Sequence, residues 1–137
     1  MDDIRYWVVH HVGSGTEPDP HPTDTANYHI NEHGWPGIAY HWVIRRDGTL
    51  YSTMDMQIMS YHVASRNREC LGILVNGNFL GRVPTGAQIV MLRRLLAWLD
   101  AQYPGRQVVA HQEVALPGYE TSCCGDTWSS WRSQVLP

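Results

Sequence analysis

With 137 residues, 43% of them hydrophobic, the chain is expected to form one domain over residues 1–137 around a real apolar core. A formal net charge of -3 gives no reason to expect a nucleic-acid partner, and no apolar run reaches the length of a membrane span. Three cysteines, Cys70, Cys123 and Cys124, cannot all pair within one chain, which argues against a disulfide scaffold.

The opening residues Met1-Asp2-Asp3-Ile4 are acidic, unlike a secretory leader, and lead into a strand predicted over Arg5–His11. Gly13 to Pro22 is dense in Gly, Pro, Asp and Thr and reads as an irregular loop. A helix follows, with Thr23 or Asp24 as N-cap and Gly34 as its stop before Pro36. Tyr40–Arg45 and Leu50–Thr53 flank Asp47-Gly48, a strong hairpin signal. Arg45, Arg46, Arg66 and Arg68 are candidates for a local basic face. Leu71–Val75 is a buried strand, with a turn at Asn76-Gly77-Asn78 and Cys70 as an inert core thiol at its start.

Pro84-Thr85 opens the longest helix. Ile89, Leu92, Leu95, Leu96 and Leu99 share one face, Arg93 and Arg94 occupy the other, and Pro104-Gly105 ends it. Gln107–Ala110 is a short strand, a long loop runs to Gly125, and Thr127–Gln134 is a last helix. Interleaved strands and helices with one hairpin predict an α/β fold, a single mixed sheet flanked by helices.

Two apolar runs end in histidine: Tyr6-Trp7-Val8-Val9 before His10 and His11, and Val108-Val109-Ala110 before His111. Thr121-Ser122-Cys123-Cys124-Gly125-Asp126 adds thiols in a tight loop. Two imidazoles and one thiolate would hold Zn²⁺ at three corners of a tetrahedron and leave the fourth for water, as in a catalytic site. Taken alone, these residues do not choose between His10 and His11, or between Cys123 and Cys124. Each histidine could also be a satisfied core residue. His29 and His33 lie one helical turn apart, the geometry of a two-histidine clamp, but no third ligand is near them in sequence. They read as a packing histidine and a solvated terminal one. Six Trp and seven Tyr against one Phe suit grooves that bind sugars or peptides, and half-buried core positions equally.

Taken in order, these segments resemble the type 2 N-acetylmuramoyl-L-alanine amidases, a family that includes phage lysins and peptidoglycan recognition proteins. Val8-Val9-His10-His11 resembles the family's first strand. Tyr28-His29, His33-Gly34-Trp35 and Ile38-Ala39-Tyr40-His41 resemble its helix and the strand after it, with Ala39 where the family usually has Gly. Asp47-Gly48-Thr49-Leu50-Tyr51 is similar to its hairpin, and Tyr61-His62-Val63-Ala64, Asn67, Gly72-Ile73 and Gly77-Asn78-Phe79 to its cleft-lining segment. Ala110-His111-Gln112-Glu113-Val114 and Thr121-Ser122-Cys123-Cys124-Gly125-Asp126 resemble the two later ligand motifs, with Cys124 in place of Pro and Leu116-Pro117-Gly118-Tyr119 as an insertion between them.

The resemblance selects His10, His111 and Cys123 as zinc ligands and implies a hydrolase that cuts the amide joining N-acetylmuramic acid to L-alanine in peptidoglycan. It places Tyr40 and Thr121 beside the metal, Tyr40 as hydrogen-bond donor to the oxyanion and Thr121 to position water or polarise the carbonyl. His62 is a candidate contact to substrate or oxyanion, or a cleft-edge histidine without a catalytic part; Asn67 and Asn78 are expected to bind substrate. Glu113 either orients His111 or caps the following loop. The rival reading is a recognition module that binds muropeptide without cleaving it, whose members usually lack the cysteine ligand. An amidase that recycles muropeptides shares the chemistry. A monomeric phage endolysin fits best, made in the host cytoplasm and released onto the wall, with peptidoglycan as its partner and neither membrane nor nucleic acid. An excised catalytic domain of a larger bacterial protein would look the same.

Overall fold

The computed structural model describes residues 1–137 and contains one five-stranded sheet of strand order β3-β2-β4-β1-β5. β1 (Tyr6–His11) lies between β4 (Cys70–Val75) and β5 (Gln107–Ala110), parallel to both. β2 (Trp42–Ile44) runs parallel to β4, and β3 (Leu50–Ser52) pairs antiparallel with β2 through the Asp47-Gly48 turn. The mixed sheet is as expected. The β2–β3 hairpin is shorter than predicted because Tyr40 leaves the ladder, its carbonyl accepting from the Thr53 hydroxyl at 2.7 Å.

Strand pleating sorts the core into two faces. Trp7, Val9, Ile73, Val75, Val108 and Ala110 face α2 (Gly86–Gln102), whose Leu92, Leu95, Leu96 and Leu99 cover them. Each fully buried leucine there contributes about 1.5–3 kcal/mol relative to exposure. The short helix α4 (Trp128–Trp131) closes this face, with Trp131 edge-on to Phe79 at 5.7 Å. The last helix is therefore one α-turn continued by a tighter 3₁₀ turn over Arg132–Gln134, not a helix throughout. Val8 packs with Val63, Cys70, Val109 and Val114 on the opposite face, and Ile38, Val43 and Leu74 form a third cluster there.

The helix ends follow from their caps. α1 (Pro22–His33) starts two or three residues earlier than predicted: Pro22 needs no N–H in the first turn, and His21 Nδ1 accepts from Thr23 N–H at 3.1 Å in place of a Thr23 or Asp24 cap. Gly34 ends it in the left-handed region at φ 67°. Thr85 and Gln88 form a reciprocal capping box on α2. Helix α3 (His111–Val114) falls where a loop was expected, and Glu113 caps it by accepting from Ala110 N–H at 2.7 Å.

The expected basic face is mostly neutralised. Arg45 pairs with Asp19, Arg46 with Glu17 and Arg66 with Glu69. No helix is long and apolar enough to cross a membrane.

Candidate active site

The pleat that sends Trp7 and Val9 to α2 sends Val8 and His10 to the other face. Val109 and, one step past the end of β5, His111 lie on that same side. The two rings meet there with centroids 4.7 Å apart. Cys123 arrives from the loop after α3, whose backbone is tied to that helix: Gln112 N–H donates to the Cys123 carbonyl at 2.6 Å, and the Gln112 amide donates to the Gly125 carbonyl at 3.0 Å. One ligand atom each from His10, His111 and Cys123 lies within 4.8 Å of the others. His11 points to the α2 face, where its Nδ1 accepts from Phe79 N–H at 3.0 Å. Cys124 is buried in the α2-side core.

This donor set suits zinc. Burial, then neighbouring His62 and His111, hold His10 well below the ordinary imidazole pKa; burial lowers His111 as well. Both are therefore neutral at pH 7 and present lone pairs, as ligation requires. Burial pushes the Cys123 thiol up to about 12, while the His11 backbone N–H, 3.3 Å from Sγ, pulls in the other direction. A cation placed between these groups reverses the thiol's preference and draws out the thiolate. All three cysteines are free thiols, and Cys70 is fully buried with its pKa also raised to about 12.

The three donors line a cleft of about 510 Å³. Tyr40 enters from the segment before β2 and packs its ring against His10 at 5.0 Å. Burial, then proximity to Cys123, raises its phenol pKa, so the hydroxyl keeps its proton and can donate. One cleft wall is aromatic: His33 stacks on Trp35 at 4.5 Å and 20°, and Trp35 on Tyr61 at 6.0 Å and 30°. Sequence reasoning did not assign this wall to binding; its traces were the excess of Trp and Tyr and the likeness of the Tyr61 segment to a cleft lining. His29 is buried as expected, its Nδ1 accepting from Ala39 N–H at 3.0 Å, and His33 is exposed.

Several expected site residues do other work. Asn67 is not part of the cleft lining; its Oδ1 accepts from the backbone N–H groups of His62 and Val63 at 2.9 and 2.7 Å. Asn78 also lies off the lining, its amide donating to the Gly15 carbonyl at 2.8 Å while its Oδ1 accepts from Leu80 N–H at 3.2 Å. Both arrangements have one cause: short amide side chains beside turns find backbone partners close by. Thr121 Oγ1 accepts from Cys123 N–H at 3.2 Å, so its contact with the site runs through the Cys123 backbone. Glu113 holds Ala110 N–H and the Trp128 indole N–H, the latter at 3.0 Å, and not the His111 ring. His62 lines the cleft but is 7% exposed, with both ring nitrogens engaged inside the protein.

Comparison with known proteins bears on the family and the fold. The endolysin of Klebsiella phage KP32 is 39% identical over 61% of this chain, and the aligned part spans 59% of that endolysin. Peptidoglycan-recognition protein SC2 of Drosophila melanogaster is 30% identical over 95% of this chain and 77% of its own length. The solved structure of N-acetylmuramoyl-L-alanine amidase LysC from Clostridium intestinale superposes with a TM-score of 0.83 at 25% identity, covering 98% of this chain and 87% of that one. The family described as N-acetylmuramoyl-L-alanine amidase matches residues 1–126, and the chain, with His10, His111 and Cys123 drawn together at the end of its sheet, belongs to that family.

Proposed function

We propose that the protein is a zinc-dependent amide hydrolase that cuts the bond between N-acetylmuramic acid and L-alanine in bacterial peptidoglycan. The observation that carries this reading is the convergence of two neutral imidazoles and one thiol within 4.8 Å, with the Tyr40 ring against one of them. Zinc held there supplies a Lewis acid and a water nucleophile active at neutral pH. His10, His111 and Cys123 would hold it; Thr121 steadies Cys123 through its amide. The Tyr40 hydroxyl donates to the substrate carbonyl oxygen as negative charge develops on it. The carbon–nitrogen bond breaks, water's hydroxyl stays on the lactyl carbonyl, and a proton goes to the L-alanine amine. The wall of His33, Trp35 and Tyr61 offers flat apolar faces for a sugar ring. Its endolysin relative suggests host-cell lysis as the setting, the enzyme passing from the host cytoplasm to the wall.

Mass spectrometry of purified peptidoglycan after incubation tests the reading. Free stem peptides beginning at L-alanine, lost with a zinc chelator and restored by zinc, are expected. Intact muropeptides in every sample, from protein verified to carry zinc, would instead assign a recognition module.

A further inference from the structure

His62 stands behind a metal-site residue rather than in front of substrate. Its Nε2 lies 3.1 Å from the Cys70 carbonyl, and its Nδ1 lies 2.9 Å from His10 Nε2. A carbonyl oxygen only accepts, so His62 Nε2 carries the proton and donates it. A histidine that ligates through Nδ1 carries its one ring proton on Nε2, so His62 Nδ1, 2.9 Å away, accepts from His10 Nε2–H. His10 Nδ1 is then left without a proton, 3.6 Å from Cys123 Sγ. The order of donors and acceptors runs from the β4 backbone to the lone pair in the cleft without a free choice at any step.

We infer that His62 is a positioning residue: held by the Cys70 carbonyl, it fixes the tautomer and ring orientation in which His10 presents Nδ1 to the metal. The fold reserves space for it. Gly72 of β4 lies beside the ring, and a Cβ there would stand 2.9 Å from His62 Nδ1 and 3.0 Å from its Cγ. Asn67 grips the His62 backbone N–H at 2.9 Å, fixing the loop from which the ring projects. Residues that orient a metal-bound histidine through its second nitrogen typically change metal affinity about 10–100-fold when removed. The inference rests on the zinc-site reading above.

Two measurements test it, neither of them turnover. The first is zinc affinity by chelator competition in the wild type, His62→Leu and His62→Asn. Asparagine retains an acceptor near the Nδ1 position but loses the donor to Cys70. The expected order is wild type tightest, His62→Asn intermediate and His62→Leu weakest, the last by about 10–100-fold. Affinities within threefold across the series would overturn the role of His62; absence of zinc binding by the wild type would overturn the metal site itself. The second is long-range ¹H–¹⁵N NMR on the zinc-free wild type, which needs no variant to fold. Protons on Nε2 of both His10 and His62 are expected, and a proton on His10 Nδ1 would overturn the assignment.

Discussion

Two buried histidines on the same face of the sheet serve opposite purposes. Beside β2 and β4, His41 is fully buried and satisfied: its Nδ1 accepts from Gly72 N–H at 3.1 Å and its Nε2–H donates to the Ile58 carbonyl at 2.8 Å. At the end of β1, His10 is 2% exposed, yet only one ring nitrogen is bonded to a neighbouring ring while the other faces Cys123 in the cleft. Burial alone therefore does not mark a site. A nitrogen with no backbone partner, aimed at other ligand types, does.

The contrast separates residues whose loss removes function from residues whose loss removes stability. Tyr40→Phe is expected to lower kcat by a factor equivalent to about 2.7–4 kcal/mol, the range for losing one oxyanion donor, with zinc content unchanged. Full turnover by the zinc-loaded variant would remove Tyr40 from the chemistry. His41→Leu should act in the other way. It strands the buried Gly72 N–H, at about 1–3 kcal/mol, and removes the donor to the Ile58 carbonyl, read together as a lower urea midpoint. Zinc content per folded molecule should not change; if zinc is lost while the midpoint holds, the two histidines are not separable.

Acid should weaken the zinc-free protein through the buried histidines His41 and His62. Burial lowers the His41 pKa and takes His62 from 6.5 to about 3. Between those values the unfolded chain binds more protons than the folded one, so stability is fully present above pH 6.5 and falls as pH drops toward 3. The slope approaches about 1.4 kcal/mol per pH unit for each such histidine. Equal urea midpoints at pH 7.5 and pH 5 would contradict it.

The smallest effect belongs to Asn67→Ala, which removes the acceptor for two backbone N–H groups on a half-buried loop. A stability loss of about 1 kcal/mol is expected, with KM for muropeptide substrate unchanged because Asn67 is not part of the cleft lining. A raised KM with unchanged stability would return Asn67 to the binding site.

What the sequence determined by itself was local or periodic. Short continuous apolar runs, Tyr6-Trp7-Val8-Val9 and Val108-Val109-Ala110, predicted the strands, the leucine spacing over 89–99 predicted α2, and Asp47-Gly48 predicted the hairpin, because each is a short-range consequence of backbone geometry. The order of segments also allowed the family resemblance, and with it the ligand trio. Tertiary structure decided what each polar side chain does with its hydrogen-bonding groups. Asn67, Asn78, Glu113 and His62 all sit near motif residues in sequence, and none of their partners could be read there. His62 lies 52 positions from His10, and its ring reaches His10 only because β4 pairs beside β1 and Gly72 leaves the space open. Hydrogen bonds act over about 3 Å in space without regard to chain separation, so such assignments wait on the folded sheet.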